Sequence, residues 1–130
     1  MSLETGILDR LAADAGVSAL VGTRLRHEFL DQDQTYPALR LIRISTATDY
    51  SLDMASPLSR VRLQVDCYAD SFADANSLAD AVESSLVGFD YTVGAIVVRT
   101  MVLDNKISLG EKDGDQVIRR IALDFIAIHE

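Results

Sequence analysis

The sequence contains one cysteine, two prolines, two histidines and no tryptophan in 130 residues, and only two of its twelve basic residues are lysines. Each scarcity excludes something. A lone thiol, Cys67, rules out an intrachain disulfide and fits a reducing compartment. Two histidines, His27 and His129, with one distant cysteine are too few and too dispersed for a zinc site, so no metal or other cofactor is expected. The lysines, Lys106 and Lys112, do not cluster, the arginines are scattered, and the net charge is −8. Gripping phosphates requires clustered cations, so sequence-independent DNA or RNA binding is not expected. An acidic lining past which DNA slides without sticking is compatible with this charge. No apolar run approaches the roughly 20 residues of a membrane span. The first residues lack a basic stretch followed by an apolar core, so no signal peptide is expected.

What the chain does have is apolar content. Hydrophobic residues make up 48% of it, which excludes intrinsic disorder. Its length suits a single domain over 1–130, with a core that needs no disulfide or metal staple.

Ser2 is placed to cap a helix carrying Leu3, Ile7, Leu8 and Leu11 at helical spacing, with Gly16 as its stop. Val17–Val21 suggests one more short turn ending at Gly22, followed by an edge strand over 24–30. Pro37 leads into a strand from Ala38 to about Thr48. The stretch 49–59, with Pro57 and small polar residues, reads as a loop. A strand over 60–68 alternates cleanly, with Val61, Leu63, Val65 and Cys67 on one face. Ser71, with Asp74 three residues on, then opens a helix whose stripe is Ala75, Leu78, Ala79, Val82 and Leu86, closed by Gly88. A hairpin of strands over about 93–103 and 116–128 follows, joined by the charged loop DNKISLGEKDGD. These elements predict an α/β (α+β) fold. It would have a small, mostly antiparallel or mixed sheet of four to five strands, with two main helices on one face.

Several strands are apolar on both faces. Ile96, Val98 and Val102 oppose Val97, Met101 and Leu103; Ile121, Leu123 and Phe125 oppose Ile126 and Ile128; Leu39 and Leu41 oppose Ile42 and Ile44. A sheet with one wet face alternates more strictly. A partner subunit covering the second face is the preferred explanation. The alternative is a sheet that curls over itself, with bulges resetting the parity.

The residues offer little chemistry. Cys67 sits on an apolar face without a neighbouring base and reads as a small hydrophobe. Asp104, Glu111, Asp113 and Asp115 loosely resemble a calcium loop, but the EF-hand spacing is absent and a solvated loop is the simpler reading. No glycine-rich phosphate loop or Ser-His-Asp signature is present, so no catalytic residues are nominated. The arginines are more informative. Arg40, Arg43, Arg60, Arg62, Arg99, Arg119 and Arg120 all fall in predicted strands. Cross-strand pairing with acids such as Asp66 and Asp124 is their ordinary role; ion pairs between subunits are the functional one.

The order of these pieces resembles one family. An N-terminal helix leads into GVSALVGTRL, then YPALRLIRIS, then RVRLQVDCYADSFADANSLADAV, and the chain closes on RRIALDFIAIHE. From about Leu3 to Glu130 this is similar to the tail-completion, or tail-terminator, proteins of long-tailed phages and related particles. The matching stretches are packing and turn signatures rather than catalytic motifs.

The resemblance implies a non-enzymatic virion protein at the head-proximal end of the tail, made in the bacterial host. Relatives form a ring, commonly of six subunits, that ends tube polymerisation and offers a surface to the head-side connector. The implied partners are therefore the chain itself, the tail tube protein and the connector, with DNA passing through the channel and no membrane. Candidate interface residues are Arg62, Arg120, Asp53, Met54, Lys106, Glu111, Lys112 and Asp113. Two other roles remain open at this point: a head-closure, adaptor or minor tail protein, and a small cytoplasmic ligand-binding or enzymatic α/β dimer.

Overall fold

Ser2 accepts a hydrogen bond from the Thr5 amide and opens α1 (Leu3–Ala13), whose Leu3, Ile7 and Leu11 are buried. The computed structural model describes residues 2–30, 35–49, 58–113 and 116–130. Asp14, not Gly16, ends α1. Its extended backbone breaks the helix, and its carboxylate then accepts from the amides of Gly16 and Val17 to start α2 (Ala15–Val21). An Asx cap outcompetes the glycine because it satisfies two amides that the next helix would otherwise leave unbonded. Gly22, at φ +59, closes α2 in the left-handed region that glycine tolerates best.

Six strands follow the pattern β1 (Leu25–His27), β2 (Ala38–Asp49), β3 (Leu58–Ala69), β4 (Gly88–Val93), β5 (Ile96–Asp113) and β6 (Gln116–His129). The third helix, α3 (Phe72–Leu86), links β3 to β4; the Ser71 hydroxyl accepts from the Asp74 amide as its cap. The sheet order is β1-β2-β3-β6-β5-β4, with β1 parallel to β2 and every other pair antiparallel. The fold is thus mixed α/β with six strands and three helices, where four to five and two were expected.

The added strand is β4, while the edge strand expected over 24–30 is present as β1 but shrinks to three residues. The three residues of β1 pair with Leu39, Arg40 and Leu41. Five of the six residues of β4, all but Asp90, pair with the first part of β5 across a two-residue turn begun by Gly94 at φ +61, as the primed hairpin turns require. The segment expected as a loop over 104–115 is instead mostly strand: β5 continues to Asp113 and pairs with β6 back to Gln116. Asp49, Leu58 and Ser59 likewise belong to strands, whereas 50–57, including Asp53 and Met54, lies outside the described residues.

All three helices lie on one face, over Leu39, Leu41, Val61, Leu63, Val65, Cys67, Ile121, Leu123, Phe125 and Ala127. The sheet curls around them, so that α1 touches β1 and β2 on one side and β4 on the other. Gly6 makes this clasp possible, since a Cβ there would stand 3.0 Å from the Val93 Cβ. Arg43 points to the same side and binds the carboxylate of Glu4, a mostly buried acid in the first turn of α1. Burial alone would raise the pKa of Glu4. Hydrogen bonds from its own backbone amide and from Arg43 outweigh that and hold it below the usual value of 4.5.

Bulges correct part of the expected face assignment. Register shifts fall between Arg43 and Ser45, between Val98 and Thr100, and between Leu103 and Asn105. The shift at Arg99 brings Val98, Met101 and Leu103 onto the helix-covered face together, so those three do not oppose one another. No shift interrupts β6 over 116–129, and there the opposition is real: Leu123 and Phe125 are buried while Ile126 and Ile128 lie on the other face, only partly covered.

Candidate functional site

The face of the sheet away from the helices carries two kinds of residue, and they occupy different ends. At the β2 start lies a charged knot. Asp66, wholly buried, accepts from Arg40 Nε at 3.0 Å and again from the second guanidinium nitrogen, from Gln64 Nε2 at 2.8 Å and from Arg120 Nε at 3.2 Å. Strand register explains the convergence, because Arg40 is directly opposite Asp66 while Arg120 faces Tyr68, two residues along β3. Tyr68 and Tyr36 approach with ring centroids 6.1 Å apart, and the Arg40 guanidinium sits 6.0 Å from the Tyr68 centroid. The knot places the cross-strand pairing expected of these arginines on Asp66. It also makes Arg120 chiefly a structural counter-ion rather than an open contact.

The other end of this face is apolar and uncovered. Register places Phe89 of β4, Thr100 and Val102 of β5, and Ile126 and Ile128 of β6 side by side on it. Further along β5, Ile107 and Leu109 face the same way beside Ala122 and Arg120. Phe89 is 70% exposed, Ile107 43% and Leu109 42%, and Ile44 at the β2 bulge is 50% exposed. Among the described residues no helix or strand lies over them. Single exposed apolar side chains are ordinary, but a row of them on one sheet face marks an interaction surface. The sequence signal for this row is the two-sided apolar pattern of β5 and β6; Phe89 escapes it because β4 is too short to show alternation, and Ile107 and Leu109 because they fall in the stretch expected as a loop.

Arg62 stands on the same face and binds Asp104 at 2.8 Å across β6, and that hydrogen bond and charge raise the guanidinium pKa. Asp124, one of the acids expected to pair with the strand arginines, exerts only a weaker electrostatic pull on Arg62. Lys106 points to the opposite face and reaches Asp80 of α3 at 3.5 Å. Glu111, Lys112 and Asp113 end β5 at the tip of the hairpin, where Lys112 is exposed. The structure therefore divides the nominated residues between two faces and a hairpin tip.

Two features with possible chemistry are already occupied within the fold. An open cleft of about 520 Å³ between α1, α3 and the β4–β5 turn is lined by Asp9, Arg10, Asp14, Ser84 and Ser85. Its one arginine, Arg10, donates to the Ser85 carbonyl at 2.9 Å and stacks 4.0 Å over Tyr91. Cys67 is fully buried, and burial, aided by the neighbouring Asp66 charge, pushes its thiol pKa far up. The sulfur stays protonated and serves as packing.

A family model described as "Tail completion protein gp17" matches residues 5–130. The chain belongs to that family. It is a structural protein of the phage tail, located in the virion. Among solved structures, a chain from "Virion of native gene transfer agent (GTA) particle" superposes with a TM-score of 0.72. That match covers 99% of this chain and 95% of the other at 22% identity, a likeness of fold. A search of curated proteins finds no match. A structural tail component works through the contacts it makes, which turns attention to the uncovered apolar row.

Proposed function

We propose that this tail protein caps the head-proximal end of the tail tube as a ring of six copies, ending tube polymerisation and offering the surface on which the head joins. The observation that carries this reading is the uncovered apolar row Phe89–Val102–Ile126–Ile128, continued by Ile107 and Leu109, in a chain of the tail completion family. A lone subunit keeps that row in water at a cost of ~25 cal/mol per Å²; a tube, connector or neighbour docked on that face would remove it. The net charge of −8 suits a channel through which DNA passes without being held. Arg62, Lys106 and Lys112 are the nominated contacts best placed to meet tube, connector or neighbour; Glu111 and Asp113 share the hairpin tip with Lys112.

Two measurements test this. Native mass spectrometry over a concentration series, with and without purified tail tube, should show a species near six times the 14.2 kDa subunit. Particles assembled without the protein should carry tails of uncontrolled length. Tails of normal length that fail to join heads would point to a head-closure or adaptor role instead, and a stable dimer that never enlarges would remove the ring.

A further inference from the structure

Among the described residues two stretches of strand edge have no neighbouring strand, and they match. On one side of the sheet β1 covers β2 only through Leu41, and the Glu28 amide adds a last bond to the Leu41 carbonyl. From Ile42 to Asp49 no described strand pairs with that edge. On the other side β4 covers β5 only as far as Met101, leaving the edge from Val102 to Asp113 without a described strand neighbour. Exposure runs along the middle of both edges. Every residue from Arg43 to Ala47 is exposed, and every residue from Asp104 to Gly110.

Unpaired edges of this length are templates for another strand, and proteins usually blunt them with bulges, charges or short strands. Here each free edge does begin at a bulge. Beyond the bulge, however, the backbone is regular: Asn105 to Asp113 pairs with β6 without a further shift, and Ser45 to Asp49 pairs with β3 likewise.

We infer that the free edge of β5 (Val102–Asp113) pairs with the free edge of β2 (Ile42–Asp49) of a second copy of this chain, joining neighbouring subunits into one continuous sheet. Three observations select that occupant. Strand direction alternates from β2 through β3 and β6 to β5, so two copies side by side in the same orientation bring β5 and β2 together antiparallel. Their faces also agree: the helix layers stay on one side, while Ile44, Ile107 and Leu109 fall on the other. Finally, the free lengths are comparable, about eight residues against about twelve, enough for a full strand.

The two edges lie at opposite ends of the sheet. Thr46 is level with Val61, Ala127 and Met101; Ser108 is level with Ile121, Cys67 and Leu39. That offset is seven residues along β5, roughly 20 Å at about 3.3 Å per residue. In a flat array such a step would build a staircase. In a closed barrel it is the shear that tilted strands require. A contact of one edge on a different edge is heterologous, the kind that closes into a ring.

The inference rests on the ring reading, and the test separates the two. The only native cysteine, Cys67, is buried and does not compete. Thr46→Cys and Ser108→Cys place thiols on the same face of the two edges, at exposed positions. Lys106→Cys and Gly110→Cys, each combined with T46C, sample the neighbouring registers. Disulfides need Cα atoms within about 7 Å. The T46C/S108C double variant, or one of its register mates, should give a non-reducing gel ladder ending at the ring, in more than about half of the protein. A mixture of T46C and the matching β5 single variant should stop at dimers, and each single variant alone should remain a monomer on the gel. A ring by native mass spectrometry with no cross-link in any register would overturn the edge pairing and leave the ring intact. Dimers from S108C alone would replace it with a symmetric β5–β5 contact. No oligomer at any concentration, with or without tail tube, would remove both.

Discussion

Gly6 and Val93 touch where no side chain can come between them: a Cβ on residue 6 would lie 3.0 Å from the Val93 Cβ and 3.2 Å from its carbonyl carbon. This is the point at which α1 meets the last residue of β4, across the curl from β1 and β2.

Gly6→Ala is therefore expected to destabilise the fold although alanine favours helix. The obstacle is β4 backbone as well as a side chain, so relief requires α1 or the hairpin to move, and overpacking of this kind costs about 1–3 kcal/mol. Urea denaturation of the G6A variant measures it. Gly88→Ala is the control, because a Cβ there meets only the Tyr91 ring at 3.6 Å, an ordinary van der Waals contact; it should change stability by less than about 0.5 kcal/mol.

Removing the centre of the charged knot should cost more. Asp66→Ala leaves Arg40 and Arg120 facing each other around a buried space that has lost its counter-charge. Both arginines are about one-fifth exposed, so some water reaches them, and a loss of roughly 2–4 kcal/mol is expected. Asp66→Asn, which keeps the shape, should cost less. A loss under about 1 kcal/mol in both variants would mean that the knot specifies strand register rather than stability.

The pair Glu4–Arg43 should make stability depend on acid pH in a known direction. Glu4 has a lower pKa folded than unfolded. Its contribution is complete above the unfolded value of about 4.5 and is lost as pH falls through the lower folded value. Urea midpoints measured on either side of about pH 4.5 should fall with acidification, and less steeply in Glu4→Gln. Identical slopes would show that other carboxylates govern the acid limb.

Charging the exposed row should spare folding and abolish assembly. Ile107→Lys with Leu109→Lys alters side chains that are each more than 40% exposed. The stability of the single subunit should stay within about 0.5 kcal/mol. The oligomer should fall by at least about tenfold at fixed concentration by analytical ultracentrifugation. An unchanged oligomer would place the interface elsewhere.

Much of the fold was readable because local signals agreed with one another. Ser2 and Ser71 cap the helices expected of them, the alternation over Val61–Cys67 survives as the core of β3, and the stripe Ala75–Leu86 is buried as the helical period required. The failures arose where tertiary pairing overrode composition. The run Asp104–Gly110 is largely polar and glycine-containing, which favours a loop, yet from Asn105 onward it lies in continuous antiparallel register with β6. β4 is too short for periodicity to register and contains Asp90 at φ +51, a poor strand signal. Three bulges also broke the parity on which face assignment depends. The surface was half legible for the same reason: β6 announced its two apolar faces, whereas the free edges exist only in the pattern of which strand stops beside which.

The clasp of α1 has a geometric consequence. An eleven-residue helix is a rod about 16 Å long, and here it is fastened near β1 and β2 at one side and near β4 at the other. It acts as a gauge block inside the arch of the sheet, so the arch is bent before any second copy arrives. If copies join into the proposed ring, each brings a segment whose curvature is set beforehand, in part by the contact that the bare Gly6 allows.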